Sequence, residues 1–168
     1  MLSRRTLLLA IAALPACGPT AIPREAPGMH ELTDQIRGKK RRSLLFVPEG
    51  LTDKGPMLVG LHDSGEQPET ELARWKAICA AEGWVGLFPD YQKDDFKDDT
   101  TNLSHVLQRA TAMGGVDRRR VYLTGHGTGG RRAYALASTH SGLLTAVATS
   151  GAVLAFEGQA EALETPGA

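Results

Sequence analysis

The sequence predicts an α/β fold: a mostly parallel sheet with helices on both faces and a β-hairpin at its start. Three patterns carry that expectation. Met57–Leu61, Trp84–Phe88 and Val121–Thr124 are short, largely apolar runs, as parallel strands covered on both faces should be. The stretches between and after them place apolar residues at helical spacing. Ahead of them, Met29–Gln35 and Ser43–Val47 flank the turn residues Arg37-Gly38-Lys39-Lys40 and read as a hairpin.

The elements follow in order. The basic run Lys39–Arg42 reads as a solvated turn and strand edge, and Pro48–Pro56 as a loop rich in Gly and Pro. The first buried strand, Met57–Leu61, ends in His62-Asp63-Ser64-Gly65. Pro68–Glu82 is expected to be a helix with Leu72, Trp75, Ile78 and Cys79 on one face, stopped by Gly83. Trp84–Phe88 follows, closed by Pro89-Asp90. The polar stretch Tyr91–Thr101 carries Asp94, Asp95, Asp98 and Asp99. It lacks the glycine and ligand spacing of an EF-hand loop, so it reads as a solvated loop ending in a helix cap. Leu103, Val106, Leu107 and Ala110 mark the second helix, stopped by Gly114-Gly115. After Val121–Thr124 comes the glycine-rich turn Gly125–Gly130, then a helix over Arg131–Thr139 and a further strand beginning at Ala146–Thr149. Strand and helix alternate three times, the signature of a parallel sheet.

The totals bound the function. A chain of 168 residues with 42% hydrophobic and 23% charged residues fits one soluble domain with a real core. Lys plus Arg and Asp plus Glu balance at 19 each, which points away from nucleic acid as a partner. The two cysteines, Cys17 and Cys79, lie in different contexts and make no disulfide framework. No metal or other cofactor is implied, and oligomeric state stays open.

Residues 1–17 read as an export signal. Arg4 and Arg5 form a positive start, and Leu7–Leu14 is an apolar stretch too short to cross a bilayer core of ~30 Å as a helix. Ser3-Arg4-Arg5-Thr6-Leu7-Leu8 resembles a twin-arginine signal, and Leu14-Pro15-Ala16-Cys17 resembles a bacterial lipobox. That resemblance implies lipidation of Cys17 and anchoring to a membrane, periplasmic or at the cell surface. Residues 18–28, with Pro19, Pro23 and Pro27, read as a stiff tether, and 29–168 as the domain.

Gly125-His126-Gly127-Thr128-Gly129-Gly130, between a strand and a helix, admits several readings. Glycines stand at the dinucleotide-fingerprint positions 125, 127 and 130. The turn falls on the third alternating strand, however, and Ser141–Gly151 holds no carboxylate for a ribose. A phosphate loop would need a lysine that is absent. The remaining reading is a nucleophile elbow, G-x-S-x-G. Its neighbourhood supports it. Arg42-Ser43-Leu44-Leu45-Phe46-Val47-Pro48 precedes Met57-Leu58-Val59-Gly60-Leu61-His62. Val116-Asp117-Arg118-Arg119-Arg120-Val121-Tyr122-Leu123-Thr124-Gly125 then leads to Gly129-Gly130 and Ala133-Tyr134-Ala135-Leu136-Ala137. In order and spacing, from about Met29 to Gly151, the chain resembles the polyhydroxybutyrate-depolymerase and feruloyl-esterase group of α/β-hydrolases.

That resemblance implies a serine esterase with an ester substrate, its elbow at Gly125, His126, Gly127, Thr128 and Gly129. It makes His62, Asp63, Ser64 and Gly65 the counterpart of the loop that supplies an oxyanion donor. Two departures follow. The nucleophile position is Gly127, which has no side chain. Asp63 puts a carboxylate beside the oxyanion site, where it should oppose negative charge. Thr128 carries the nearest hydroxyl but is one position out of register and should face another way. Ser64 and Ser150 are hydroxyls at strand ends without an assignable base. In the family the acid and the histidine follow the serine in chain order. Here Glu157–Ala168 contains no histidine, and the chain reads as C-terminally truncated. The expectation is therefore an exported protein of carboxylic-ester hydrolase descent, inactive as written. The alternative is a non-catalytic surface lipoprotein that binds a ligand or partner.

Overall fold

The computed structural model describes residues 25–36, 38–51, 53–91 and 96–152. The export signal with Cys17, most of the tether, Asp94, Asp95 and the stretch 153–168 lie outside the described residues.

Six strands form one sheet. They are β1 (Gly28–Ile36), β2 (Lys39–Val47), β3 (Gly55–Leu61), β4 (Val85–Pro89), β5 (Val116–His126) and β6 (Ala146–Ser150), in the spatial order β1-β2-β4-β3-β5-β6. The hairpin strand β2 pairs antiparallel with both β1 and β4. From β4 onward every pairing is parallel. The sheet is thus mostly parallel with an antiparallel hairpin at one edge, as the sequence predicted. The central strands β3 and β4 are almost wholly buried, which is why they read as unbroken apolar runs.

Among the described residues, three α-helices cover the sheet: α1 (Pro68–Glu82), α2 (Phe96–Ala112) and α3 (Thr128–Thr139). Alternate residues of each strand point to opposite faces. Leu44, Phe46, Leu58 and Phe88 face α1 and enclose Cys79, with Leu72, Trp75, Trp84 and Tyr122 packed around them. Leu45, Val59, Leu61, Leu87 and Leu123 face the other side, against Leu103, Val106, Leu107 and Ala110 of α2 and Ala133 and Leu136 of α3. Burial raises the Cys79 thiol pKa to about 11, so this side chain is packing material and not a nucleophile.

Four local expectations are corrected. Ile78 is 47% exposed, because the face of α1 that meets the sheet centres on Cys79 and the buried Glu71. Arg41 is buried within a run expected to be solvated, because its strand position points it into the sheet face that Leu45 and Val47 share. The loop expected to run to Thr101 is helical from Phe96. Finally, α3 starts at Thr128, inside the glycine turn, three residues earlier than its apolar spacing indicates.

Helix α1 starts with Pro68 in its first turn and Glu69 and Glu71 beside it, a favourable arrangement for the positive end of a helix. Gly83 closes it in the left-handed conformation, and the Trp84 N–H donates to the Cys79 carbonyl at 2.9 Å. The parallel strands β3, β4, β5 and β6 end at the same sheet edge. There the turns after β3 and β5 meet.

Candidate active site

The turn after β5 is sharp because two side chains are missing. A Cβ on Gly129 would lie 2.2 Å from the Leu61 carbonyl oxygen, so α3 can approach the end of β3 only with glycine there. Gly127 has φ 54° and ψ −120°, a conformation that side-chain-bearing residues rarely adopt. It links β5 directly to α3, with its N–H donating to the Ser150 carbonyl at 2.9 Å. A side chain here would stand at the N-terminus of α3, close to the N–H groups of its first turn. Gly125, His126, Gly127, Thr128 and Gly129 thus make a sharp strand-to-helix turn, the backbone shape that a nucleophile elbow requires.

What stands over that turn is the side chain of Asp63. Its Oδ1 accepts from the Thr128 N–H at 2.8 Å, the Ser64 N–H at 2.7 Å and the Thr128 hydroxyl at 2.9 Å. Gly127 gives α3 no side-chain cap, and Asp63 supplies one from another loop. These bonds, led by that from the Thr128 N–H, hold the Asp63 carboxyl below the usual carboxylate range, and the charge of nearby His126 adds to them. The carboxylate expected to oppose negative charge beside these donors is bonded to them. Asp63 is itself the negative charge that the donors hold.

Thr128 and Ser64 are drawn into the same cluster. The Ser64 N–H also donates to Thr128 Oγ1 at 2.8 Å, and the two hydroxyls lie 2.9 Å apart. Thr128 was expected to face away. Its hydroxyl instead points into the cluster, with its proton committed to a weakly basic carboxylate. His62 is buried and does not enter the hole. Its Nδ1–H donates to the Asp63 carbonyl at 2.9 Å, and its ring stacks on Tyr91 with centroids 4.1 Å apart. Gly65 forms the exposed corner of the turn that the Glu66 N–H closes onto the Asp63 carbonyl at 3.1 Å.

Sequence reasoning missed what fixes this loop. The Asp63 N–H donates to Glu66 Oε2 at 3.1 Å, and Glu66 Oε1 accepts from Arg74 at 3.1 Å. Arg74 also bonds Glu71, which is 2% exposed and takes a further bond from the Trp75 indole N–H at 3.0 Å. Glu71, Arg74 and Trp75 sit at i, i+3 and i+4 of α1, a spacing that could have revealed the brace. Missed as well was a partner for Ser150. His126 Nδ1 lies 3.0 Å from Ser150 Oγ, at the exposed ends of β5 and β6. Among the described residues, no group of three or more His, Cys, Asp or Glu side chains could hold a metal ion.

Known proteins of the same shape share this architecture. An acetyl xylan esterase from Aspergillus awamori superposes with a TM-score of 0.62 at 14% identity, over 71% of this chain and 50% of that one. The chain has the α/β-hydrolase fold. Est1E from Butyrivibrio proteoclasticus gives a TM-score of 0.62 at 20% identity, over 70% and 49% of the two chains. An S-formylglutathione hydrolase from Staphylococcus aureus gives 0.63 at 16%, over 86% and 66%. In sequence, a bifunctional acetylxylan esterase/xylanase of Neocallimastix patriciarum is 26% identical over 109 residues, 58% of this chain and 16% of that protein. No protein-family model matches. The chain spans about half the length of the first two esterases it superposes on.

Proposed function

We propose that this α/β-hydrolase-fold chain descends from carboxylic-ester hydrolases and does not itself run serine-nucleophile ester hydrolysis. The observation that carries the reading is the pairing of Gly127 with Asp63. A serine hydrolase needs a hydroxyl at the elbow and a vacant pair of N–H donors for the developing oxyanion. Here the elbow residue has no side chain, and the donors hold a carboxylate. The esterases among the similar structures and the acetylxylan esterase relative support an ester as the ancestral substrate. The polyhydroxybutyrate-depolymerase and feruloyl-esterase likeness is a finer form of the same proposal. So is export with a lipid on Cys17, after which the domain would serve at a membrane surface by binding and not by turnover.

One observation favours a second reading. Ser150 and His126 are within hydrogen-bond reach, as a nucleophile and its base must be. Assaying the full chain against an aryl acetate and acetylated xylan separates the two. The proposal expects no turnover above buffer. Turnover that disappears in Ser150→Ala and in His126→Ala would overturn it in favour of hydrolysis at that pair.

A further inference from the structure

We propose that Asp63 and Gly127 are a coupled pair: the Asp63 carboxylate takes the space of an elbow side chain and the place of the substrate oxyanion together, so the site is closed by its own anion. This rests on the hydrolase descent proposed above and adds how the site is shut.

Two independent measures coincide on Asp63. The first is steric. A Cβ built on Gly127 would lie 2.4 Å from Asp63 Cγ and Oδ2 and 2.5 Å from Oδ1, closer than real Cβ contacts. Any side chain at 127 must expel the carboxyl group. The second is electrostatic. The distances from Oδ1 to the Ser64 and Thr128 nitrogens, 2.7 and 2.8 Å, are those an oxyanion takes from such a hole. The Thr128 hydroxyl adds a third donor to the same oxygen. A carboxylate oxygen has the charge and the acceptor geometry of the species the hole was built for, so it is a stable occupant.

The carboxylate is also held from behind. The Asp63 N–H is tied to Glu66, its carbonyl takes the His62 Nδ1–H, and Glu66 is anchored through Arg74 to the buried Glu71. Swinging the carboxyl group out would break the bonds at Oδ1, and the braced main chain cannot move with it to keep them. Restoring a serine at 127 alone therefore does not reopen the site.

The test is a double-mutant cycle on the full chain: Gly127→Ser, Asp63→Gly and the two together, each followed by thermal unfolding. The backbone strain of a serine at φ 54° is present in both backgrounds and cancels in the cycle. What remains is the overlap with Asp63. Expected is a fall in Tm for Gly127→Ser that is at least halved once Asp63 is glycine. An equal fall in both backgrounds overturns the steric part. Gly127→Ala repeats the cycle with the Cβ alone. The anion part is read without touching position 127. Formate should raise the Tm of Asp63→Gly saturably, with sodium chloride at equal ionic strength as the baseline, and leave the wild type unmoved. Formate acting equally on both, or on neither, overturns it, including the case in which no side chain at 127 permits folding. Ester turnover at Ser150 would sink the functional reading and leave this cycle unchanged, so the two failures are distinguishable.

Discussion

The turn after β5 and the turn after β3 face each other across the end of the sheet and bring opposite things to it. The β5 turn brings a sharply bent backbone and no side chain at its apex. Gly127 has the strained dihedrals, Gly129 the close approach, and α3 presents its N–H groups. The β3 turn presents an N–H donor, that of Ser64, together with a side chain that occupies it, the Asp63 carboxylate. Each makes the other tolerable. A glycine leaves room for the carboxyl group, and the carboxyl group caps the helix that a glycine cannot cap. The comparison teaches that a turn's shape and its chemistry are separable. Shape is fixed by contacts with β3 and β6 that stabilise the fold whether or not a reaction occurs.

That separation predicts a graded set of effects, and the largest lies in the β5 turn. Gly129→Ala drives a Cβ to 2.2 Å from the Leu61 carbonyl and 2.4 Å from that of His62. Both are backbone atoms at the end of a buried strand and cannot step aside, so the expected cost is about 3 kcal/mol. Urea unfolding measures it. A loss below about 1 kcal/mol would mean α3 shifts freely along the sheet, and the elbow would not be a rigid relic.

The brace behind the β3 turn comes next. Arg74→Met leaves the carboxylate of Glu71, 2% exposed, with only the Trp75 indole as a partner, and frees Glu66 from α1. Arg74 is itself well exposed, so the cost is expected near 2 kcal/mol, below that of a fully buried pair. Adding Glu71→Gln should recover part of it. No recovery would show that Arg74 acts by packing its stem and not by neutralising Glu71.

Much of this was legible in the sequence and some of it was not, for physical reasons. Strand runs, helix periods and the stop at Gly83 are local properties, so α1 was found with its bounds, whereas β5 starts five residues before its apolar run and β2 takes in Lys39 and Lys40 of the expected turn. Helix α3 was placed late because its first turn, Thr128-Gly129-Gly130, has no apolar residue to mark it, only a position against β3 that demands small ones. Ile78 looked like core because apolarity alone does not say which face of α1 meets the sheet. That Gly127 sits at the apex of a strand-to-helix turn was readable from the glycine pattern between β5 and α3. That Asp63 fills the gap was not, since residues 63 and 128 meet only when β3 and β5 pair in register. The same holds for His126 and Ser150, which β5 and β6 bring together.

Asp63→Asn keeps an acceptor oxygen and removes the charge. At neutral pH the expected loss is about 1 kcal/mol, the difference between charged and neutral hydrogen bonding at a partly exposed helix end. The pH dependence carries the sign. The folded-state pKa of Asp63 is lowered, so its stabilisation is present in full above the ordinary carboxylate range and is lost as pH falls through the folded value. The Tm gap between wild type and Asp63→Asn should therefore be constant at neutral pH and close below about pH 4. A gap that persists unchanged into acid would mean the carboxyl group matters by shape alone.

An effect no larger than that is expected at Gly65, in the same loop as Asp63 but with open space around it. Gly65 has φ 85° with nothing within 4 Å of a Cβ, so Gly65→Ala meets no neighbour. Only the left-handed backbone resists it, at about 1 kcal/mol. Asparagine, which adopts that conformation more readily, should cost less than alanine. Neither change touches the donors to Asp63 Oδ1, so the acid dependence of stability should match that of the wild type. If Gly65→Ala altered that dependence, the corner of the turn would be setting where Asp63 sits, and the brace through Glu66 and Arg74 would no longer suffice to explain its position.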